Sequence, residues 1–325
     1  MGKLPTDLLA RLLAQLRPWP PEVRVGPDIG EDACALDMPA GVLVAATDPI
    51  TLTGRQVGRP AVIVNANDVA VMGVRPRWFL ATVLLPVGVT EAEVETLFAA
   101  MDGALSEVGA VLVGGHTEIT DVVDQPVVVG QMLGVTEGGH VVSTAGARPG
   151  DMILQVGVAP VEGATVLATE AAALLGGFDL ETRQAATGGL DDPGISVVEA
   201  ALAASDLGAS ALHDPTEGGL AAGLHELATA AGVALRVDRS AVLWFEPGVA
   251  ACGALGADPW ATLASGALPS TFAPGEASTA IEALARHGHA AAAIGTVEAG
   301  SGVRDLEGRP VAWPARDEVA RLLSR

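Results

Sequence analysis

Lysine is almost missing from this chain. Lys3 stands alone in 325 residues, and 18 basic side chains face 39 acidic ones, for a net charge of −21. Such a field excludes binding of nucleic acid or an anionic membrane through a general basic surface. The lysine-bearing phosphate loop of G-x-x-x-x-G-K type is also absent, so any phosphate handled here must be neutralised by metal ions and a few arginines. Aromatic residues make up only 3% while half the chain is hydrophobic, which leaves Ala, Val and Leu to build the core. Cysteine is limited to Cys34 and Cys252, far apart and each within an apolar segment. That pattern points away from a disulfide or a zinc site and towards two buried small hydrophobes. No apolar run is long enough to span a bilayer, and the N-terminus has no basic start followed by a hydrophobic stretch, so the expectation is a soluble cytoplasmic protein.

The length allows two domains of ordinary size. The 40 glycines and 21 prolines are spread along the chain, which favours a loop-rich mixture of helices and strands over a helical bundle. The stretch that organises the rest is Arg59-Pro-Ala-Val-Ile-Val-Asn-Ala-Asn-Asp-Val-Ala-Val-Met-Gly73. Pro60 marks a helix start, and Gly73 with Pro76 marks its stop. Nearly everything between is small and apolar, so this helix is expected to be buried on most of its surface. Asn65, Asn67 and Asp68 lie in its middle, with no Lys or Arg between Pro60 and Gly73. A buried carboxylate without a partner costs several kcal/mol, so a distant Arg, a set of backbone N–H groups or a metal must satisfy Asp68.

Around that helix the pattern alternates. Leu4 to Leu16 carry a leucine stripe that predicts an amphipathic helix, ended by Arg17-Pro-Trp-Pro-Pro21. The stretch Gly26 to Leu36 is a Gly-bounded loop that holds Asp28, Glu31 and Asp32 and runs into a strand. Val42–Ala46 reads as a strand ended by Thr47-Asp48-Pro49, where turn chemistry and ligand binding are both plausible uses of an Asp. A strand is expected at 78–85, and Thr90-Glu-Ala-Glu93 is a capping box that opens a helix through about Val108. The strand 110–113 leads into Gly114-Gly-His-Thr-Glu118, and 126–135 with 140–143 flank Glu-Gly-Gly as a hairpin would. Arg148-Pro-Gly-Asp151 is the expected joint, giving domains 1–148 and 149–325. In the second half, strands are expected at 152–156, 233–237 and 290–297, and His213-Asp-Pro-Thr-Glu-Gly-Gly-Leu220 reads as a helix start with Asp214 as N-cap and Pro215 first in the helix. Gly218 and Gly219 fit poorly in a first helical turn unless something approaches the backbone closely; a phosphate at the helix end is one such group.

Asp32, Asp48 and Asp68 thus gather hard oxygen donors in the first half of a chain nearly devoid of lysine. That chemistry suits Mg²⁺, with phosphate oxygens completing the shell. In order, Glu31-Asp-Ala-Cys-Ala-Leu36, Thr47-Asp48, Asn65–Gly73, Gly114–Glu118 and His213–Leu220 resemble the motifs of the aminoimidazole ribonucleotide (AIR) synthase superfamily, and the resemblance covers most of the chain. It implies a two-domain α+β, PurM-like fold: an N-terminal α+β domain whose sheet pairs across a homodimer, and a C-terminal α+β domain. It also implies ATP and Mg²⁺ as cofactors and a small-molecule phosphoryl acceptor. By position, Asp32, Asp48, Asp68 and Glu118 would hold metal. Asn65, Asn67, Gly114, Gly115, His116 and Thr117 would line the nucleotide. Asp214 and Thr216 would act at the acceptor, with Gly218 and Gly219 facing it or the phosphates.

Within the superfamily, Asp-Pro-Thr-Glu-Gly-Gly-Leu220 is most similar to the hydrogenase-maturation branch, which has Arg where Glu217 stands. That branch works through a C-terminal cysteine, whereas this sequence closes with Ala320-Arg-Leu-Leu-Ser-Arg325, so its carbamoyl-dehydration chemistry does not carry over. The Gly-Glu-Asp-Ala loop and Leu-Leu-Pro86 resemble thiamin-monophosphate kinase, which has Asp at the position of His116. No N-terminal Cys-plus-Lys pair supports selenophosphate synthesis. A catalytically silent nucleotide-binding assembly subunit is the non-enzymatic alternative.

Overall fold

In the computed structural model of the chain, the described residues are 23–25, 30, 34–38, 41–51, 56–136, 138–175 and 177–323. The expected helix at 4–16 and the acidic loop with Asp28, Glu31 and Asp32 lie outside them. The chain divides into two compact units, one centred on residues 32–141 and the other on 142–325, the latter also taking in residue 30. No helix among the described residues is long and apolar enough to cross a membrane.

Among the described residues, the first unit is a mixed sheet covered by two helices. Its strands are β1 (Val23–Val25), β2 (Cys34–Met38), β3 (Gly41–Ile50), β4 (Trp78–Pro86), β5 (Val111–Thr120) and β6 (Val127–Thr136), in the order β1-β2-β3-β6-β4-β5. The helices are α1 (Gly58–Ala70) and α2 (Glu91–Val108). The capping box forms as read: the Thr90 hydroxyl accepts from the Glu93 N–H while the Glu93 carboxylate accepts from the Thr90 N–H, and Gly109 closes α2 in the left-handed region. Helix α1 is buried at every position except Arg59, as its small apolar composition requires.

Two elements differ from expectation. The segment after β6 forms no strand at 140–143, so there is no hairpin across Glu-Gly-Gly. Instead β6 lies antiparallel between β3 and β4, a non-local pairing that satisfies both of its edges. Strand β3 also continues through Thr47-Asp48-Pro49 to Ile50. Pairing with β6 carries it there: the β3–β6 register runs from Val42↔Thr136 to Ile50↔Val128.

The second unit repeats the plan. Its strands are β7 (Met152–Val156), β8 (Ala211–Leu212), β9 (Ala234–Val237), β10 (Leu268–Phe272), β11 (Ala291–Glu298) and β12 (Gly302–Asp305), in the order β12-β9-β11-β7-β10-β8. Its helices are α3 (Glu162–Glu170), α4 (Leu180–Thr187), α5 (Val198–Asp206), α6 (Gly219–Ala231), α7 (Glu246–Leu255), α8 (Ala277–Arg286) and α9 (Glu318–Leu323). Leu220, Leu224 and Leu227 of α6 pack on Ile153, Leu235, Val237 and Ile294 of the sheet. Cores of both units consist mainly of Ala, Val and Leu, with Phe79 and Phe272 the largest fully buried side chains.

Candidate functional site

The polar residues of α1 meet β3. The Asn65 carboxamide oxygen accepts the Asp48 N–H at 2.8 Å, and its amino group donates to the Asp48 carbonyl at 3.3 Å and to the Ala61 carbonyl at 2.8 Å. Asn65 is fully buried, and Gly130 on β6 leaves room for it: a side chain there would begin 2.4 Å from its Nδ2. The structure therefore gives Asn65 a positioning task, fixing the main chain of Asp48. Asp68 follows one helical turn later on the same face, about 5 Å along the axis. It is 6% exposed, Asn67 is fully buried, and both are engaged by partners. Two carboxylates beside one helix–strand seam are oxygen donors of the kind Mg²⁺ takes. Among the described residues no group of three or more His, Cys, Asp or Glu converges as a metal site, and Asp32 lies outside them.

The glycine-histidine segment is strand, not loop. Gly114 to Glu118 lie inside β5, paired parallel with β4 after an irregularity between Phe79 and Leu80. Gly115 has φ +147°, and a side chain there would begin 2.0 Å from the Ala81 carbonyl oxygen, so the close approach it permits is to β4. Gly114 has no such constraint. The sheet register sets the distance between the acidic positions. Asp48 pairs with Gly130, Gly130 with Ala81, and Ala81 with Gly115, so Asp48 and Gly115 share one row three strands apart, about 14 Å. Asp48, Gly130, Ala81 and Gly115 share the helix-covered face, which Thr117 also shares. His116 and Glu118, by the two-residue period of a strand, stand on the opposite face. Glu118 and Asp48 thus cannot ligate one ion within a single chain. His116 Nε2 lies 3.2 Å from Glu118 Oε2, both side chains well exposed.

Strand β5 ends the sheet and is exposed over nearly its whole length, including Val111, Leu112, Val113 and Ile119. The uncovered face of the same sheet carries Leu43, Trp78, Leu80, Leu84 and Leu133, each only half-buried. A long apolar edge beside an apolar face is a template for pairing with another chain.

In the second unit, 213–216 is neither helix nor strand, a turn at Glu217-Gly218 follows, and α6 begins at Gly219, with Gly218 as N-cap at φ +83°. Asp214 is therefore not the cap that the Asp-Pro spacing suggests; it is 2% exposed and engaged by a partner. Gly219, at φ +66°, faces the carbonyls of Trp260 and Thr262, each 2.6 Å from where a side chain would begin. What approaches this glycine closely is the chain's own 260–262 segment. The Thr216 carbonyl accepts from the Gly219 and Ala264 N–H groups, which ties the loop to that segment. Beside it, His213 Nε2 lies 3.0 Å from Glu226 Oε2, with His213 1% exposed.

Asp317, just before α9, was not legible as a site residue. It is 3% exposed, and its Oδ2 accepts the Gly218 N–H at 2.8 Å. Burial pushes its carboxyl up to about 6, partly offset by N–H groups of Gly218 and Val319. An Asp before a short terminal helix reads as an ordinary cap, and nothing local in sequence reveals that it reaches a loop 99 residues away. Cys252 matches its expectation: it is fully buried, and burial pushes its thiol up to about 11.

Two family models match the chain: AIR synthase related protein, N-terminal domain, over residues 30–136, and AIR synthase related protein, C-terminal domain, over 148–305. A carbamoyl dehydratase HypE of Cupriavidus necator is 32% identical over 278 residues, 82% of this chain and 77% of that protein. A thiamine-monophosphate kinase of Methanospirillum hungatei is 32% identical over 146 residues, 41% of this chain and 47% of that protein. Among solved structures, the hydrogenase maturation protein HypE in complex with ATP superposes with a TM-score of 0.73 at 26% identity, covering 90% of this chain and 92% of that one.

Proposed function

Because the chain belongs to the AIR synthase related family, on its HypE-like side, we propose that it is an ATP- and Mg²⁺-dependent enzyme that phosphorylates or activates an oxygen of a small substrate. The observation that carries this reading is the α1–β3 seam, where Asn65 locks the main chain of Asp48 one helical turn from the buried Asp68, in a fold shared with a HypE structure that holds ATP. Asp48 and Asp68, with Asp32 from the acidic loop, are the residues to hold Mg²⁺, which when bound offsets the charge of the phosphates. Asn67 lies beside them on the nucleotide side. Asp214, Thr216 and Gly218 serve the acceptor or the phosphates.

The protein works as a cytoplasmic homodimer. One copy's β5 edge and uncovered sheet face supply the apolar surface, and pairing brings Gly114–Thr117 and Glu118 of one chain to the site of the other. This resolves the distance that the sheet sets between Glu118 and Asp48 within a chain. His116 takes the place of a carboxylate and leaves that side of the site with one negative charge fewer.

Buried Cys252, its thiol pushed up to about 11, is unsuited to carrying a substrate, and the reaction proposed is transfer of the γ-phosphoryl group to a substrate oxygen, with ADP leaving. Thiamin-monophosphate kinase activity is the second reading, supported by the partial likeness to the M. hungatei kinase. The test is incubation of the purified protein with ATP, Mg²⁺ and a panel of acceptors, thiamin monophosphate included, with products identified by mass. A phosphorylated acceptor together with ADP supports the proposal. ATP binding without turnover for any acceptor would identify a silent assembly subunit instead.

A further inference from the structure

The segment between β12 and α9 crosses α6 and fastens to it at successive points. The Val311 carbonyl accepts from His225 Nε2 at 2.9 Å. Trp313 stacks on the His225 ring at 4.9 Å between centroids, with planes 9° apart. Pro314 lies against Gly218, its Cβ 3.9 Å from where a side chain there would begin. Asp317 ends the run: its Oδ2 takes the Gly218 N–H at 2.8 Å and its Oδ1 takes the Val319 N–H at 2.7 Å. Gly218 is the hinge of the 213–219 loop, where the backbone turns through two successive left-handed residues into α6.

We propose that the strap Val311–Asp317 is a positioning device for the 213–219 loop, with Asp317 as the positioning residue that sets the Gly218 turn and so the aim of Asp214 and Thr216. A neutral side chain at 317 cannot reproduce it, because both carboxylate oxygens accept N–H groups and an amide would turn a donor towards one of them. The carboxylate is kept although its burial opposes ionisation, as expected of a group retained for placement rather than stability. The charged and titratable groups around it are Glu217 on the loop, Arg316 and Glu318 on its own segment, and Asp258 and the Cys252 thiol from the elements beneath. The functional part of this inference rests on the ATP-dependent reading above.

The test uses the full chain labelled with ¹⁵N-glycine, as the parent, Asp317→Asn and Trp313→Ala, whose half-exposed indole can be truncated without opening the core. In the parent, the Gly218 amide signal should titrate near pH 6 and lose that titration in Asp317→Asn. Mg²⁺-dependent ATP turnover should fall about tenfold or more in Asp317→Asn, with the acid-side loss of the parent absent. Trp313→Ala should shift the Gly218 signal and lower turnover in the same direction. An Asp317→Asn protein that keeps the parent's turnover and pH profile overturns the proposal. So does a parent Gly218 signal that does not titrate, a result that decides the matter even if Asp317→Asn does not fold. A parent that neither binds nor turns over ATP overturns the functional reading, while the Gly218 titration still decides whether the strap holds the loop.

Discussion

Replacing Asn65 with Ala separates a scaffold from a ligand contact. Asn65 makes three hydrogen bonds at 2.8, 3.3 and 2.8 Å, two of them to the main chain of Asp48 on a different element. Ala leaves the Asp48 N–H and carbonyl without those partners at a largely buried seam, and each such group costs about 1–3 kcal/mol. A small cavity adds to this, because the side chain is fully buried. The expected loss is about 2–4 kcal/mol in the first unit, which for a unit of this size lowers its melting temperature by about 8–16 °C. Calorimetric melting of the parent and Asn65→Ala measures it, and titration with a non-hydrolysable ATP analogue at saturating Mg²⁺ follows on the same samples. Affinity should fall as well, because Asp48 is no longer held. A variant that melts within about 2 °C of the parent yet loses the analogue would show that Asn65 touches nucleotide directly, and the positioning role would be refuted.

Gly219→Ala should destabilise the second unit without any ligand present, by about 1–2 kcal/mol for the left-handed backbone alone and more for the contact with the Trp260 and Thr262 carbonyls; unchanged melting of the ligand-free variant would show that the space is kept for a ligand. Asp317 has its carboxyl raised from 3.8 to about 6 in the folded chain, so its contribution is fully present below 3.8 and is lost as pH rises through 6. The stability of the parent relative to Asp317→Asn should therefore fall by about 2.5 kcal/mol between about pH 4 and pH 7.5, measured by urea unfolding at each pH; a flat difference would refute it. Sedimentation at micromolar concentration should show twice the 32.6 kDa chain mass, and Ile119→Lys on the β5 edge should shift the protein to monomer; a parent that sediments as a single chain rules the dimer out. His116→Asp should lower the Mg²⁺ concentration needed for ATP turnover, and an unchanged requirement for both His116→Asp and His116→Ala would place the residue away from the metal.

The elements legible in the sequence are those whose signals are local. The small apolar run with Pro60 and Gly73 could only be a buried helix, and Thr90 with Glu93 could only open one. No hairpin forms at 126–143: Glu-Gly-Gly has the composition of a local turn, whereas β6 finds its partners on β3 and β4, distant in sequence. The Asp214-Pro215 pair carries the chemistry of a helix start, but the chain spends that segment meeting 260–264 and turns only at Gly218. Gly114 and Gly115 lie inside β5, and the close approach that Gly115 permits is to a strand 34 residues earlier, a pairing that no local signal reveals. Of the candidate site, the acidic residues and Asn65 were visible as polar groups in apolar surroundings. Which of them touch each other was not, since that depends on sheet order: it joins Asn65 to Asp48 and sets Glu118 on the opposite face.

The most direct test of the account is calorimetry of a non-hydrolysable ATP analogue with and without Mg²⁺, on the parent and on Asp68→Asn. The parent should bind the analogue only when Mg²⁺ is present, and Asp68→Asn, still folded, should lose this metal-dependent binding. A parent that fails to bind the analogue at saturating Mg²⁺, or an Asp68→Asn protein that binds it with the parent's affinity and metal requirement, would contradict it.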